Sequence, residues 1–372
     1  MRIRNFELER FFAKHEFSVK YVLGASDVDG MPMSEVLALA DAECQRLWDG
    51  LVLGYSESAG HPLLRAEIAK QYSGLDAEDI LVFAGAEEAI FVAMHAALDS
   101  GDHAVVVTPA YQSLYEIAGA IGANVTQVPL NASDWSLDVG RIAAALTPRT
   151  RLVVINFPHS PTGALIDRDQ LGEIVSLCAA RGIRLFSDEV YRLLEYDPGE
   201  TLPPAATLDA NALSLGVMSK AYGLAGTRIG WIATRDRAFR ARMAALKDYT
   251  TICSSAPSEL LALIGLRAST TLIARSRRII ETNLPILSGF IGRHSSVVAW
   301  APPKAGSVAF PRFVQGLDAG RVADRFIAET GVLILPGGLF DYDRSHFRVG
   351  LGRANMPASL AAIEPLLQTL AD

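Results

Sequence analysis

Cysteine is scarce in this chain. Three occur in 372 residues, Cys44, Cys178 and Cys253, far apart and without a CxxC pair. Neither a disulfide framework nor a cysteine-ligated zinc site is expected, and a reducing compartment fits. The histidines show no metal-ligand spacing, so no metal is expected. Long apolar runs are also missing, and with them the length of a membrane span. The opening MRIRNFELERFFAKHEF carries charges throughout and lacks the apolar centre of a signal peptide. A soluble, cytoplasmic protein is the expectation. Positive charge is not in surplus. The net charge is -7 with both signs interspersed, which argues against a nucleic-acid surface. No repeat or low-complexity tract is visible, and no strand-like run leads into GxGxxG, which sets aside a nicotinamide dehydrogenase.

What is present is ordinary globular composition, 50% apolar and 20% charged, in a length that suits two domains. Short β-branched runs recur at Ile80–Phe83, Val105–Thr108, Val125–Val128, Leu152–Asn156, Ile183–Asp188, Leu213–Val217 and Ile229–Ala233. Helical periodicity lies between most of them, as in Glu87–Ala97, Gln112–Ile121 and Gln170–Arg181. Such alternation predicts an α/β fold with a mainly parallel sheet covered on both faces. The last two runs leave no room for a crossover helix, so one of that pair is expected to run antiparallel. Before this region come an arm, a Gly/Asp-rich stretch at Leu23–Gly30 and a helix near Ser34–Trp48. After Ser255 come a long helical region, strands near Ser307–Phe313, Val332–Leu335 and His346–Leu351, and a closing helix from Pro357. The expected organisation is a large domain over 51–255 and a smaller α+β domain built from 256–372 together with part of 1–50. The cleft between them is the natural site.

The densest chemical signal runs from Ser219 and Lys220 through Tyr222, Gly223, Gly226 and Arg228 to Gly230 and Trp231. It follows one apolar strand and enters another, and ligands bind at strand C-termini in open α/β sheets. Glycines allow close backbone approach, and the Arg228 fork suits phosphate. A surface turn with one solvated lysine is the alternative. Other segments stand at strand ends: Asp188 with Tyr191; Asn156-Phe-Pro-His-Ser160-Pro161-Thr162-Gly163; Gly85-Ala86-Glu87; Pro109-Ala-Tyr111; and His346-Phe-Arg348.

Taken together and in this order, these segments resemble the motifs of the class I/II aminotransferases, which are fold-type I enzymes dependent on pyridoxal 5′-phosphate (PLP). The resemblance runs from about Leu23 to Leu370. It implies a seven-stranded, mainly parallel sheet in the large domain and a PLP cofactor held as a Schiff base on Lys220. It implies that Asp188 bonds the pyridine nitrogen, Tyr191 the ring 3′-oxygen and Arg228 the phosphate. Tyr111 would stack on the ring. Gly85, Ala86 and Glu87 would open a helix whose free N–H groups hold the phosphate, with the Glu87 carboxylate turned away. Ser219 would add a phosphate contact. Arg348 would pair with the substrate α-carboxylate, with Arg353 as its competitor. Tyr55, in Gly54-Tyr55-Ser-Glu-Ser-Ala-Gly60, matches a tyrosine that relatives lend to a neighbouring subunit, which implies a homodimer with shared sites.

The expected reaction moves the amino group of an L-amino acid to a 2-oxo acid. Three departures stand out. Ser160 replaces the family's asparagine, Val217 a phosphate-contacting serine, and Ser26 a glycine in a loop that touches the substrate. They keep a second reading open, elimination and ring closure of the capreomycidine-synthase-like type. A regulatory domain on the same fold is opposed by the intact Lys220, Asp188, Tyr191, Arg228 and Arg348.

Overall fold

The computed structural model describes residues 2–314 and 316–370. Its centre is one seven-stranded sheet: β1 (Ile80–Phe83), β2 (His103–Thr108), β3 (Asn124–Pro129), β4 (Thr150–Asn156), β5 (Arg184–Asp188), β6 (Ala212–Val217) and β7 (Gly230–Ala233). The order across the sheet is β1-β7-β6-β5-β4-β2-β3. All neighbours are parallel except β7, which runs antiparallel to both β6 and β1. The connection from β6 to β7 is a loop, so the chain reverses there, as the short spacing predicts. Because β7 is reversed against both neighbours, the C-terminal ends of β1, β2, β4, β5 and β6 share one sheet edge.

The sheet is buried on both sides because its side chains alternate. In β4, Leu152 and Val154 pack with the helices Ala86–Ala97 and Ser113–Ile121. Val153 and Ile155 face the other way, onto Val139–Ala145 and Arg168–Ala179. The last of these helices starts at a reciprocal cap, in which Asp167 accepts from the Gln170 amide and Gln170 from the Asp167 amide.

Both chain ends build a third cluster. Tyr21–Val22 pairs in parallel with Val332–Leu333, and Val308–Ala309, Phe347–Gly350 and Leu335–Pro336 form a three-stranded antiparallel sheet. The helices Ser269–Arg293, Ala319–Thr330 and Met356–Gln368 cover them. Three local expectations are corrected. The helix expected near Ser34–Trp48 is two, Met33–Leu37 and Ala42–Asp49, because Asp41 caps the second through the Cys44 amide at 2.8 Å. The strand expected over Ser307–Phe313 divides into Val308–Ala309 and Arg312–Phe313 in different sheets. Pro311, between them, has no N–H to continue a ladder. The N-terminal arm contains a helix, Glu7–His15.

Candidate active site

The shared sheet edge opens on a cavity of about 590 Å³. Lys220, Asp188, Tyr191, Tyr111, Ala86, Glu87, Ser160, Ser219, Arg228, Arg348 and Ser26 all line it, although they come from distant parts of the chain. Topology accounts for this convergence: each motif follows a strand whose end lies on that edge, or belongs to the end-built cluster beside it.

Asp188 ends β5 and is 5% exposed. Its Oδ1 accepts from the Val190 amide at 3.2 Å. Burial raises its carboxyl to about 7, while the Val190 amide and the Lys220 charge pull it down. Lys220 Nζ donates to Ser26 Oγ at 2.8 Å and lies 5.4 Å from the Tyr191 ring centroid. The Tyr191 hydroxyl donates to the Ser26 carbonyl at 3.3 Å, and the Ser307 hydroxyl donates to the same oxygen at 2.6 Å. Ser26 thus ties the lysine, the tyrosine and the N-terminal loop together.

Arg348 lies in the strand Phe347–Gly350 and is 2% exposed. Among the described residues it makes one hydrogen bond, from Nε to the Gly24 carbonyl at 3.0 Å, so its two terminal nitrogens remain for a ligand. Arg353 is already engaged, with Asp27 at 2.9 Å and Asp29 at 3.4 Å. Gly85, between β1 and the helix Ala86–Ala97, has φ +90°, and a Cβ there would stand 2.7 Å from Arg228 Nη2. A bare backbone, a helix N-terminus and a guanidinium therefore meet, which is an anion cradle.

Around these groups, Asn156 anchors its loop: its Nδ2 donates to the Asp188 carbonyl at 2.9 Å and its Oδ1 accepts from the Ser160 amide at 2.8 Å. The Tyr111 hydroxyl donates to Glu9 Oε1 at 2.5 Å. Glu87 remains on the cavity wall, where Ser113 donates to it at 3.1 Å, and burial raises its carboxyl to about 7. Val217 presents an apolar surface to the cavity. Tyr55 does not line the cavity of its own chain and is 93% exposed.

The residues suit PLP. A buried carboxylate is available for a protonated pyridine, an amine for an aldehyde, and the Gly85–Arg228 cradle for a phosphate. The model of the family "Aminotransferase class I and II" matches residues 19–363. The chain belongs to that family. Its cofactor is pyridoxal 5′-phosphate, and this aminotransferase acts on small-molecule amino acids and 2-oxo acids.

Three relatives place it further. It is 32% identical to capreomycidine synthase of Streptomyces vinaceus, over 97% of this chain and 93% of the relative. A PLP-dependent aminotransferase from Streptococcus suis 89-1591 superposes with a TM-score of 0.91 at 28% identity, covering 100% of this chain and 98% of that one. A PLP-dependent cyclase, OrfR, superposes with a TM-score of 0.90 at 27% identity, with the same coverage.

The sequence reading missed the N-terminal contribution to this aminotransferase site. Phe6, Leu8, Glu9, Arg10, Phe12 and Glu16 line the cavity. The available signal was the helix Glu7–His15 itself, with Glu7 and Glu9 in its first turn and Lys14 and His15 in its last, the arrangement its dipole favours. Nothing local indicates which distant surface such a helix covers.

Proposed function

We propose that Lys220 carries the cofactor and exchanges protons with the substrate, in a transfer of the amino group from an L-amino acid to a 2-oxo acid. The observation that carries this reading is that Lys220, Asp188 and Arg348 line one cavity, with two guanidinium nitrogens of Arg348 unpartnered among the described residues. When bound, PLP supplies an electron sink for the pair released at the substrate Cα.

The remaining steps fall to the protein. Arg348 takes the α-carboxylate in a two-pronged pair and thereby sets which Cα bond faces Lys220. With the substrate in place, the free Lys220 Nζ would act as the general base at the Cα proton and would return that proton to the adjacent carbon. Ser26 Oγ holds the free Lys220 amine at 2.8 Å. A cation placed beside Asp188 offsets the burial that raises its carboxyl, so the site favours a charged pyridine against the carboxylate. With PLP bound, Tyr191 and Ser160 would hold the ring oxygen, Ser219, Arg228 and the amides of Ala86 and Glu87 would hold the phosphate, and Tyr111 would stack on the ring.

The wider reading is a cytoplasmic homodimer of two-domain subunits, divided near residues 50 and 255. Among the described residues no helix is long and apolar enough to cross a membrane. The exposure of Tyr55, Val52 and Leu53, at 93%, 80% and 83%, supports a subunit contact there.

A second reading, elimination and ring closure, is favoured by Ser160, Val217 and Ser26 on the cavity wall and by similarity to capreomycidine synthase and the cyclase. Both readings share the proton removal by Lys220 and part afterwards. The deciding experiment adds L-amino acids to the holoenzyme without any oxo acid. One equivalent of 2-oxo acid per site, with the cofactor left as its amine, is the expected result. Return of the original cofactor spectrum with loss of water or ammonia from the substrate would replace amino transfer with the second reading.

A further inference from the structure

The assignments above leave one part of the cavity without a role, the wall made by the N-terminal helix. Three of the four cations on the wall, Lys220, Arg228 and Arg348, serve the cofactor and the α-carboxylate. The fourth, Arg10, is exposed. Among the acids, Asp188 is assigned to the cofactor, Asp27 is held by Arg353 at 2.9 Å, and Glu87 is engaged by Ser113. Glu9 and Glu16 remain. They are seven residues apart, with Phe12 between them, which places all three on one helix face.

The Glu16 carboxylate makes no hydrogen bond or ion pair among the described residues, and the Glu9 carboxylate accepts only from the Tyr111 hydroxyl, through Oε1. Burial, then Asp27, pushes the Glu16 carboxyl up, Arg353 pulls it down, and Glu9 adds a smaller rise. Two acids on the wall of a ligand cavity form a surface that a cation would neutralise. That the cavity takes an amino acid does not rest on this pair. It rests on Arg348, 2% exposed and, among the described residues, with free donors in the same cavity.

We propose that Glu9 and Glu16 form the side-chain subsite of this cavity and select amino acids whose side chain carries a positive charge, a guanidinium or an alkylammonium. The proposal rests on the amino-acid reading given above. Arg348 fixes the carboxylate end. Phe12 and Tyr111 offer apolar surface to a methylene stem, and the two carboxylates receive the charged head. A guanidinium, with its planar array of five donors, can address both acids.

The test compares charged substrates with uncharged counterparts of similar shape on the holoenzyme: L-arginine against L-citrulline, and L-lysine against L-norleucine. The rate of the cofactor spectral change, measured across substrate concentration, gives an efficiency for each. The charged member of at least one pair is expected to lead by about tenfold or more, since the neutral analogue leaves both carboxylates of the cavity wall without a counter-charge. Glu9→Gln and Glu16→Gln should each shrink that ratio, and the double variant should bring it to about one. Calorimetry with 5-guanidinopentanoate, which lacks the reacting amine, should show the same weakening without turnover. Equal efficiencies within both pairs, or a preference that survives in the double variant, would overturn the subsite while leaving the amino-acid reading intact. No spectral response to any amino acid, including alanine and glutamate, would overturn that reading and the subsite with it.

Discussion

Asp188 and Glu259 are both buried and both have carboxyls raised to about 7, and their surroundings give them opposite meanings. Asp188 opens on the ligand cavity, where a cationic ring can neutralise it. Glu259, on the helix Ala256–Arg267, is 1% exposed, and among the described residues neither carboxylate oxygen has a hydrogen bond of normal geometry. The nearby His61 backbone and, through space, the buried Lys247 pull its carboxyl down only in part, the Lys247 amine itself donating to the Ser58 carbonyl. Burial lifts the folded carboxyl from 4.5 to about 7. A raised carboxyl contributes stability that is fully present below the unfolded value and is lost as pH rises through the folded one. Between 4.5 and about 7 that amounts to at most about 3 kcal/mol. Glu259→Gln keeps the shape and removes the charge. Urea unfolding should therefore show little change at pH 5 and a gain of up to about 3 kcal/mol at pH 8. Parallel wild-type and variant curves across that range would mean that Glu259 does not titrate in the folded state as described.

The elements that form the site differ in how far the sequence exposes them. Lys220, Asp188 and Arg348 were legible because each is a charged residue at or beside an apolar strand, and their order along the chain matches one known arrangement. The reversal of β7 was legible from a spacing too short for a crossover. The split at Asp41 was not, because Ser34–Trp48 keeps helical periodicity across a residue that acts as a cap. Nor was the cavity wall at Glu9 and Glu16, since periodicity describes a helix and not the distant surface it meets. At Gly85 the element and the chemistry coincide. The residue has φ +90°, and a Cβ added there would stand 2.7 Å from Arg228 Nη2. Gly85→Ala would strain the backbone by roughly 1–3 kcal/mol and displace the guanidinium from the cradle. The variant should fold yet bind PLP at least about tenfold more weakly, by the conversion of 1.4 kcal/mol per factor of ten. Fluorescence titration of the cofactor-free enzyme measures this directly. Unchanged affinity would remove Gly85 and Arg228 from the phosphate site.

At the scale of the whole molecule, the surface near Tyr55 has no counterpart in the chain's own packing. Tyr55 is 93% exposed and stands outside its own cavity, beside Val52 and Leu53. Single exposed apolar residues are unremarkable, but adjacent ones mark an interaction surface. A two-fold dimer presents the same patch from both subunits, so what one lends to its neighbour it also receives. If Tyr55 completes the partner's phosphate site, sites and subunits cease to correspond one to one. A Lys220→Ala subunit then retains a usable Tyr55 but no amine, and a Tyr55→Ala subunit retains the amine but not the tyrosine it lends. Each homodimer is impaired at both sites, the first fully and the second in cofactor affinity. Their heterodimer contains one site with a Lys220 from one chain and a Tyr55 from the other. Mixing the two variants under exchange conditions, at limiting PLP, should therefore raise activity above the sum of the separate samples. It should approach about half the wild-type value per heterodimer, because a closed two-fold assembly holds two sites, one of them whole. Additive activities after proven exchange would place Tyr55 outside the partner's site, even with the dimer intact.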